Sequence, residues 1–363
     1  MLSAKASVGA PPRGDRLENM KRSPNYLEKK FINTIPEVQP PFLKTMFEWI
    51  KGAKHTKPKG LIPVVSRGKE DFKIPPASGL RITWFGHSSS LVEIDGKRVL
   101  LDPMWSKRSS PWSQIGPKRF FDPPIALEDL PPIDAVLISH DHYDHLDRIA
   151  VEQLAATDAL FVVPLGIGAH LEFWGVEPQK VVELDWWQAT QLGDLTVTAT
   201  PARHFSGRSM VMADKGKTFW AGFAIAGPKH RVYYSGDTGM IDGFEEIGQK
   251  LGPFDASLME VGAYHQLWAD LHLGPEQAVQ AHKIIDGGLL IPVHWATFDL
   301  ALHSWTEPAE RLLVAADKSE ISLVIPRPGQ SVELAEPFPF TRWWPELPWQ
   351  TAEENPIVSS GID

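Results

Sequence analysis

The chain has 363 residues, 43% hydrophobic and 22% charged, with a formal net charge of −9. That length suits two ordinary domains or one large layered domain, and no basic tract argues for nucleic acid. Cysteine is absent, which excludes disulfides and thiolate metal sites, so any metal must be held by histidine and carboxylate.

The opening stretch MLSAKASVGAPPRGDR carries no apolar core of signal-peptide length. No run of about 18 apolar residues follows, so the expectation is a cytoplasmic chain without a membrane-spanning helix, with peripheral membrane contact left open. Residues 1–77 read as an arm. Within it, PPFLKTMFEWIKG (40–52) is a short amphipathic helix with Phe42, Leu43, Met46, Phe47 and Ile50 on one face. That stripe is expected to pack on the domain; the alternative is a lip for acyl chains or a membrane surface.

From residue 80 the pattern turns strand-rich. LRITWFG, SSLVEID and KRVLLDP are three short strands joined by tight turns such as Asp95-Gly96. After a proline-rich loop comes the buried strand DAVLI, then a histidine cluster, then a helix at about 145–156. ALFVVP, KVVEL, LTVTATP, FWAGFAIAG and RVYYSGD continue as strands. The helix GFEEIGQKL, the strand DASLME, the helix PEQAVQAHKII and the strand GGLLIPVHW follow, then a last helix over 306–316 and strands near 321–334. Meander and then β-α-β alternation occur in both halves. This predicts an α/β domain over 78–335 with two mixed sheets packed face to face and helices outside. Residues 336–363 read as an extended proline-rich tail, where Trp343, Trp344 and Trp349 pose the same choice between packing and a surface role.

The chemistry centres on LISHDHYDHLDR, which places three histidines and three aspartates within His140–Asp147. A plain reversing loop would use Gly, Pro or Asn. His140 and His142, two apart on a turn, can converge on one cation, and Asp144-His145 can turn towards a second. Further lone residues follow apolar strands: His87, His204, Asp237 and His294. Taken singly, His204 or His294 reads as an ordinary hydrogen-bonded histidine; beside H-x-H-x-D-H they support one another. Two ions about 3.5–4 Å apart need roughly seven protein ligands when one carboxylate bridges. His140, His142, Asp144, His145, His204, Asp237 and His294 supply that number. Asp141 and Tyr143 read as spacers.

HDHYDH, RHFSG, SGDTG and PVHW, in this order, resemble the metallo-β-lactamase superfamily, which implies a four-layer αββα sandwich with a dinuclear metal site. GPKRF, ELDWW, FEEIG, GPFD and GAY resemble its N-acyl-phosphatidylethanolamine-hydrolysing phospholipase D branch over about residues 80–300. By that resemblance His140, His142 and His204 hold one ion, Asp144, His145 and His294 the other, and Asp237 bridges. His272, in HLGPEQA, matches a family histidine that lines the reaction site. Asp144 would also orient or deprotonate the attacking water, and His272 would stabilise the phosphate or help the leaving alkoxide.

The implied activity is hydrolysis of a phospholipid-like phosphodiester by a hydroxide held between two divalent ions, Zn²⁺ foremost, with Mn²⁺ or Fe²⁺ compatible with the same ligands. A small-molecule or lipid substrate is the expected partner. Hydrolysis of a lactone or another ester on the same site is the alternative, and a diiron-type oxidoreductase ranks last. One departure bears on substrate: the family's GAYEPRWFM reads GAYHQLWAD here, so His265, Gln266 and Leu267 replace Glu-Pro-Arg and a bidentate arginine contact is lost. Asp102, Asp147 and Asp185 are candidates to fix ligand rings, with a turn or cap role as the equal reading for the last two. His87 is expected near the site without ligating. Trp186, Trp187, Tyr264 and Trp268 either wall a groove or pack in the core.

Overall fold

Hydrophobic alternation in LRITWFG and SSLVEI becomes a hairpin of β3 (Leu80–Gly86) and β4 (Ser89–Ile94), which follow two short strands of the arm, β1 (Tyr26–Leu27) and β2 (Lys30–Phe31). The next turn, to β5 (Lys97–Leu101), uses Asp95 and Gly96 at φ 48° and 84°, the pair of positive φ values that suits a two-residue hairpin. A computed structural model describes residues 4–38, 40–209, 211–334, 336 and 338–362 of this chain. Residues 1–3 and 39 of the expected arm, 210 and 335 of the expected domain, and 337 and 363 of the expected tail lie outside the described residues.

The arm holds α1 (Ala4–Val8), α2 (Gly14–Met20), the hairpin β1 (Tyr26–Leu27) and β2 (Lys30–Phe31), and α3 (Phe42–Lys51). After β5 the chain runs through β6 (Ala135–Leu137), α4 (Arg148–Leu154), β7 (Leu160–Pro164), α5 (Gly168–Phe173) and β8 (Val181–Leu184). The second half contains β9 (Ala189–Leu192), β10 (Leu195–Thr200), β11 (Gly222–Ala226), β12 (Arg231–Tyr234), α6 (Gly243–Leu251) and β13 (Phe254–Glu260). It continues with α7 (Pro275–Ile284), β14 (Gly287–Val293), α8 (Glu307–Ser319), β15 (Ser322–Leu323) and β16 (Ser331–Glu333).

Two seven-stranded sheets result, ordered β16-β3-β4-β5-β6-β7-β8 and β15-β14-β13-β12-β11-β10-β9. Each is mixed: the meander pairs are antiparallel and the β-α-β pairs parallel. Period-two geometry sends alternate side chains to opposite faces. Val99 and Leu101 of β5 join the core between the sheets, whereas Leu100 packs outward with Val151, Leu154 and Leu171 of α4 and α5. Helices α7 and α8 cover the second sheet through Ala278, Ala281, Ala309 and Leu312. The expected layered α/β sandwich is therefore the observed one.

Strand direction decides where the site falls. β3, β5 and β6 run the same way in the first sheet, and β10, β12, β13 and β14 share a direction in the second. The carboxyl ends of such strands are where layered α/β folds build their sites.

Several local expectations change. The helix after the histidine cluster starts later than 145, because Asp147 caps it by accepting the amide of Ile149. The stripe on α3 does not pack on the domain. Phe42, Leu43, Phe47 and Ile50 are 62–77% exposed, since periodicity reports an apolar face but not what covers it. Trp186 and Tyr264 are buried, their polar atoms held by Trp220 O and Glu307, so they belong to the interior and not to a groove wall. Trp344 in the tail is buried as well. Among the described residues no helix is long and apolar enough to cross a membrane.

Candidate metal centre

Seven strand ends of the two sheets deliver the site. His87 follows β3, Asp102 follows β5 and Ser139–His145 follow β6; His204 follows β10, Asp237 follows β12, Glu260 ends β13 and His294 follows β14. Gly236 lets the β12 loop approach. A Cβ there would lie 2.8 Å from both Ala221 O and Ser139 Cβ, at a φ of 58°. His87, Asp102 and His294 also adopt positive φ (53°, 35° and 64°). Non-glycine residues rarely hold that conformation, and they cluster at functional sites when they do.

The structure brings all seven expected ligand residues into one buried cluster. Asp237 Oδ2 is its hub, 3.1 Å from His294 Nε2, 3.2 Å from His145 Nε2 and 3.8 Å from both His140 Nε2 and His204 Nε2. On one side His142 Nδ1 lies 2.9 Å from His140 Nε2 and 3.2 Å from His204 Nε2. On the other, Asp144 Oδ2 lies 3.4 Å from His145 Nε2, 3.3 Å from His294 Nε2 and 2.8 Å from His87 Nε2. His272 stands at the edge, with Nδ1 3.9 Å from Asp237 Oδ2.

The groups behind these rings fix their orientation. His145 Nδ1 donates to Asp102 (2.6 Å), which also accepts from the Ser139 amide and hydroxyl and from the Tyr234 hydroxyl. His204 Nδ1 donates to the carbonyl of Leu271 at 2.9 Å. Each turns Nε2 towards the cluster, the arrangement that ligating histidines use. Asp102 thus has the expected supporting role. Asp147 instead caps α4 and ties down Trp105 and Ser106, and Asp185 accepts the next amide, that of Trp186, in a turn.

Asp141 and Tyr143 are not mere spacers. Asp141 is buried and accepts from the Gly207 amide and the Thr218 hydroxyl. The Tyr143 hydroxyl donates to Arg208 O, and its ring lies 4.0 Å below the Arg208 guanidinium. The sequence reading also missed Glu260. Fully buried, it accepts from His272 Nδ1 at 2.9 Å and from the Thr238 amide. Its signal was present: a carboxylate at the end of the apolar run DASLME needs a partner.

Charge balance divides the cluster. Burial, reinforced by the neighbouring rings, holds His140 well below the usual histidine range, and burial does the same to His204 despite Asp237. These rings stay neutral, as ligands must. On the other side burial opposes charge, yet Asp237 and Asp144 pull His145 well above its ordinary value, and His294 is raised to about 10. Burial also opposes ionisation of Asp144 and Asp237, yet His145 leads the groups that keep both well below the carboxylate range. Two buried carboxylates therefore demand positive charge beside the neutral imidazoles of His140 and His204. His145 Nε2 and Asp237 Oδ1 are buried without a hydrogen-bond partner among the described residues. Unpaired donor atoms of this kind, imidazole and carboxylate alone, fit a divalent transition ion.

A two-sheet sandwich with helices outside and a histidine–aspartate cluster on the shared strand ends defines a metallo-β-lactamase-type hydrolase. Comparison with known proteins agrees. A family model described as Beta-lactamase superfamily domain matches residues 97–295, and the chain belongs to this superfamily of metal-dependent hydrolases. An uncharacterised protein of Mycobacterium tuberculosis is 44% identical over 93% of this chain and 92% of its own length. N-acyl-phosphatidylethanolamine-hydrolyzing phospholipase D 1 of Caenorhabditis elegans is 36% identical over 71% of this chain and 75% of its own. Among solved structures, Igni18, a metallo hydrolase from Ignicoccus hospitalis, superposes with a TM-score of 0.54 at 26% identity, covering 70% of this chain and 97% of that one.

Proposed function

We propose that the chain is a phosphodiesterase acting on a phospholipid of the N-acyl-phosphatidylethanolamine type. We further propose that it uses two divalent ions, Zn²⁺ foremost, with Mn²⁺ or Fe²⁺ accepted by the same donors. The observation that carries this reading is the position of Asp237 Oδ2, within 3.8 Å of ring nitrogens from His140, His204, His145 and His294. A carboxylate set between two ligand groups would serve both ions. His140, His142 and His204 would hold one ion, and Asp144, His145 and His294 the other. Such ions lower the pKa of water to about 7 and neutralise charge on phosphoryl oxygens.

The protein's own groups do the rest. Asp144, kept ionised and hydrogen-bonded to His87 at 2.8 Å, orients the attacking water. His272 is pinned through Nδ1 on Glu260, and as an imidazolium it would give its Nε2 proton to the departing alkoxide and remain neutral, with Nδ1–H still on Glu260. The similarity to the Caenorhabditis elegans phospholipase supports the substrate class. The lactone or ester reading draws on His265-Gln266-Leu267, a segment without the cation that a phosphate would favour.

One panel separates these readings: bis-p-nitrophenyl phosphate, an N-acyl-phosphatidylethanolamine and an acyl lactone, assayed near neutral pH. Turnover of both phosphodiesters is expected; turnover of the lactone alone overturns the phosphodiesterase assignment. Metal analysis of protein purified without chelator should find about two equivalents per chain, and less than one would defeat the shared-carboxylate model.

A further inference from the structure

We propose that α3 and the lysine-rich strap after it form a docking surface for a bilayer that carries anionic phospholipid. Phe42, Leu43, Met46, Phe47 and Ile50 form one arc of α3 and are 77%, 72%, 44%, 62% and 75% exposed. A soluble helix normally turns such an arc into a core. Five large apolar side chains on ten residues instead face outward here. The helix touches the body through Trp49, whose ring stacks on Trp268 at 6.1 Å.

Charge selects the occupant. Residues 42–61 contain five lysines (Lys44, Lys51, Lys54, Lys57 and Lys59) and one acid, Glu48, in a chain whose net charge is −9. The acidic total conceals this local concentration, which the expectation of no basic tract overlooked. Lys44, Lys51, Lys54, Lys57 and Lys59 are all exposed. Lys51 faces Glu48 at 3.6 Å and Lys57 faces Asp299 at 3.1 Å; no ion pair engages Lys44, Lys54 or Lys59 among the described residues. On the helical wheel Lys44 and Lys51 flank the apolar arc on the Phe47 side. Long side chains placed there keep their charge at headgroup level while the arc enters the acyl boundary. The basic surface continues through Lys57, Arg108 and Lys118, which line one cleft of about 510 Å³. Asp299 of that cleft also lines the recess holding His87 and His294, so the lysine strap lies beside the metal-binding cluster. A nucleic acid would use the lysines and leave the apolar arc in water; a second copy would use the arc and leave the lysines uncompensated. An anionic bilayer uses both.

Vesicle co-sedimentation of the full chain tests this, with phosphatidylcholine alone against phosphatidylcholine containing phosphatidylglycerol. Neither lipid is N-acylated and the readout is binding, so the result is separate from any failure of the phosphodiesterase reading. Binding is expected only to the anionic vesicles, and it should fall as salt rises. The triple variant Lys54→Gln, Lys57→Gln, Lys59→Gln should weaken partitioning by about a hundredfold. Phe42→Ser with Phe47→Ser should abolish it, while thermal unfolding stays within a degree or two because these groups are already in solvent. Equal binding to neutral vesicles, no binding to either, or unchanged binding in both variants overturns the proposal. So does tight binding of a single-stranded oligonucleotide that the lysine variant loses and the phenylalanine variant keeps. A dimer in sedimentation that dissociates in the phenylalanine variant would give the arc to a second copy and overturn it as well.

Discussion

Asp102 carries more of the site than its distance from the reaction suggests. Its two oxygens accept from His145 Nδ1, the Ser139 amide and hydroxyl, and the Tyr234 hydroxyl. It is fully buried. Asp102→Asn swaps an acceptor for a donor against groups that already donate, and His145 loses the carboxylate that fixes its tautomer. Metal affinity, measured by competition with a chelator, should fall about 10–100-fold, with hydrolysis following metal content. Unchanged affinity would reduce Asp102 to a packing role. Asp237→Ala should be harsher, removing both hydrolysis and retention of at least one equivalent. At this scale H-x-H-x-D-H declared itself in sequence because short-range spacing and ligand chemistry coincide. Glu260 and Asp141 did not, because their partners, His272, Gly207 and Thr218, arrive from separate loops, and a single carboxylate carries no spacing.

Elements were legible where local chemistry was strong. The Asp95-Gly96 turn, the buried strand before the histidines and the helix PEQAVQAHKII all fall where the residues put them. Helix α5 escaped because its start, Gly166-Ile167-Gly168, reads as a loop, and β9 escaped because ATQL is a short polar edge strand that buries only Leu192. Helix α7 also brings a histidine into the interior. His282 Nδ1 pairs with Ser257 Oγ at 2.7 Å, while Nε2 is buried without a partner among the described residues. Burial lowers its pKa to about 4, against about 6.5 in the unfolded chain. The unfolded state therefore takes up the proton first. Stability from this group is complete above about pH 6.5 and is lost as pH falls from there towards 4, by about 3 kcal/mol at most. Denaturant unfolding of the native chain and of His282→Gln, compared at pH 7 and pH 4.5, should show a smaller loss in the variant. Parallel losses would mean that His282 takes no part in the acid response.

Over the whole molecule, the arm and tail meet at two residues that adjoin the metal-binding cluster. Arg203, next to His204, donates to Ser360 O (2.8 Å) in the tail and Pro36 O (2.6 Å) in the arm. Asp270, two residues before His272, accepts from the Val38 amide in the arm and from the Ser360 amide and hydroxyl. Arg203 and Asp270 are both buried and lie 3.2 Å apart. A tail with no strand or helix among its described residues, read from its prolines as an extended appendage, is thereby part of the scaffold that sets the loops of His204 and His272. Proline content reports backbone conformation but not docking, and so the sequence did not disclose this. Removing residues 357–363 would take the buried Ile357 away from Tyr264 and Ala269 and strip Arg203 and Asp270 of their tail partners. Each buried polar group left unpaired costs about 1–3 kcal/mol, and the strain falls on the loops that hold His204 and His272. The truncated chain should unfold several degrees lower in a single transition and retain less metal after dialysis against a weak chelator. An unchanged unfolding temperature with full metal content would show that the tail rests on the domain without supporting it; two separate transitions would make it an independent unit.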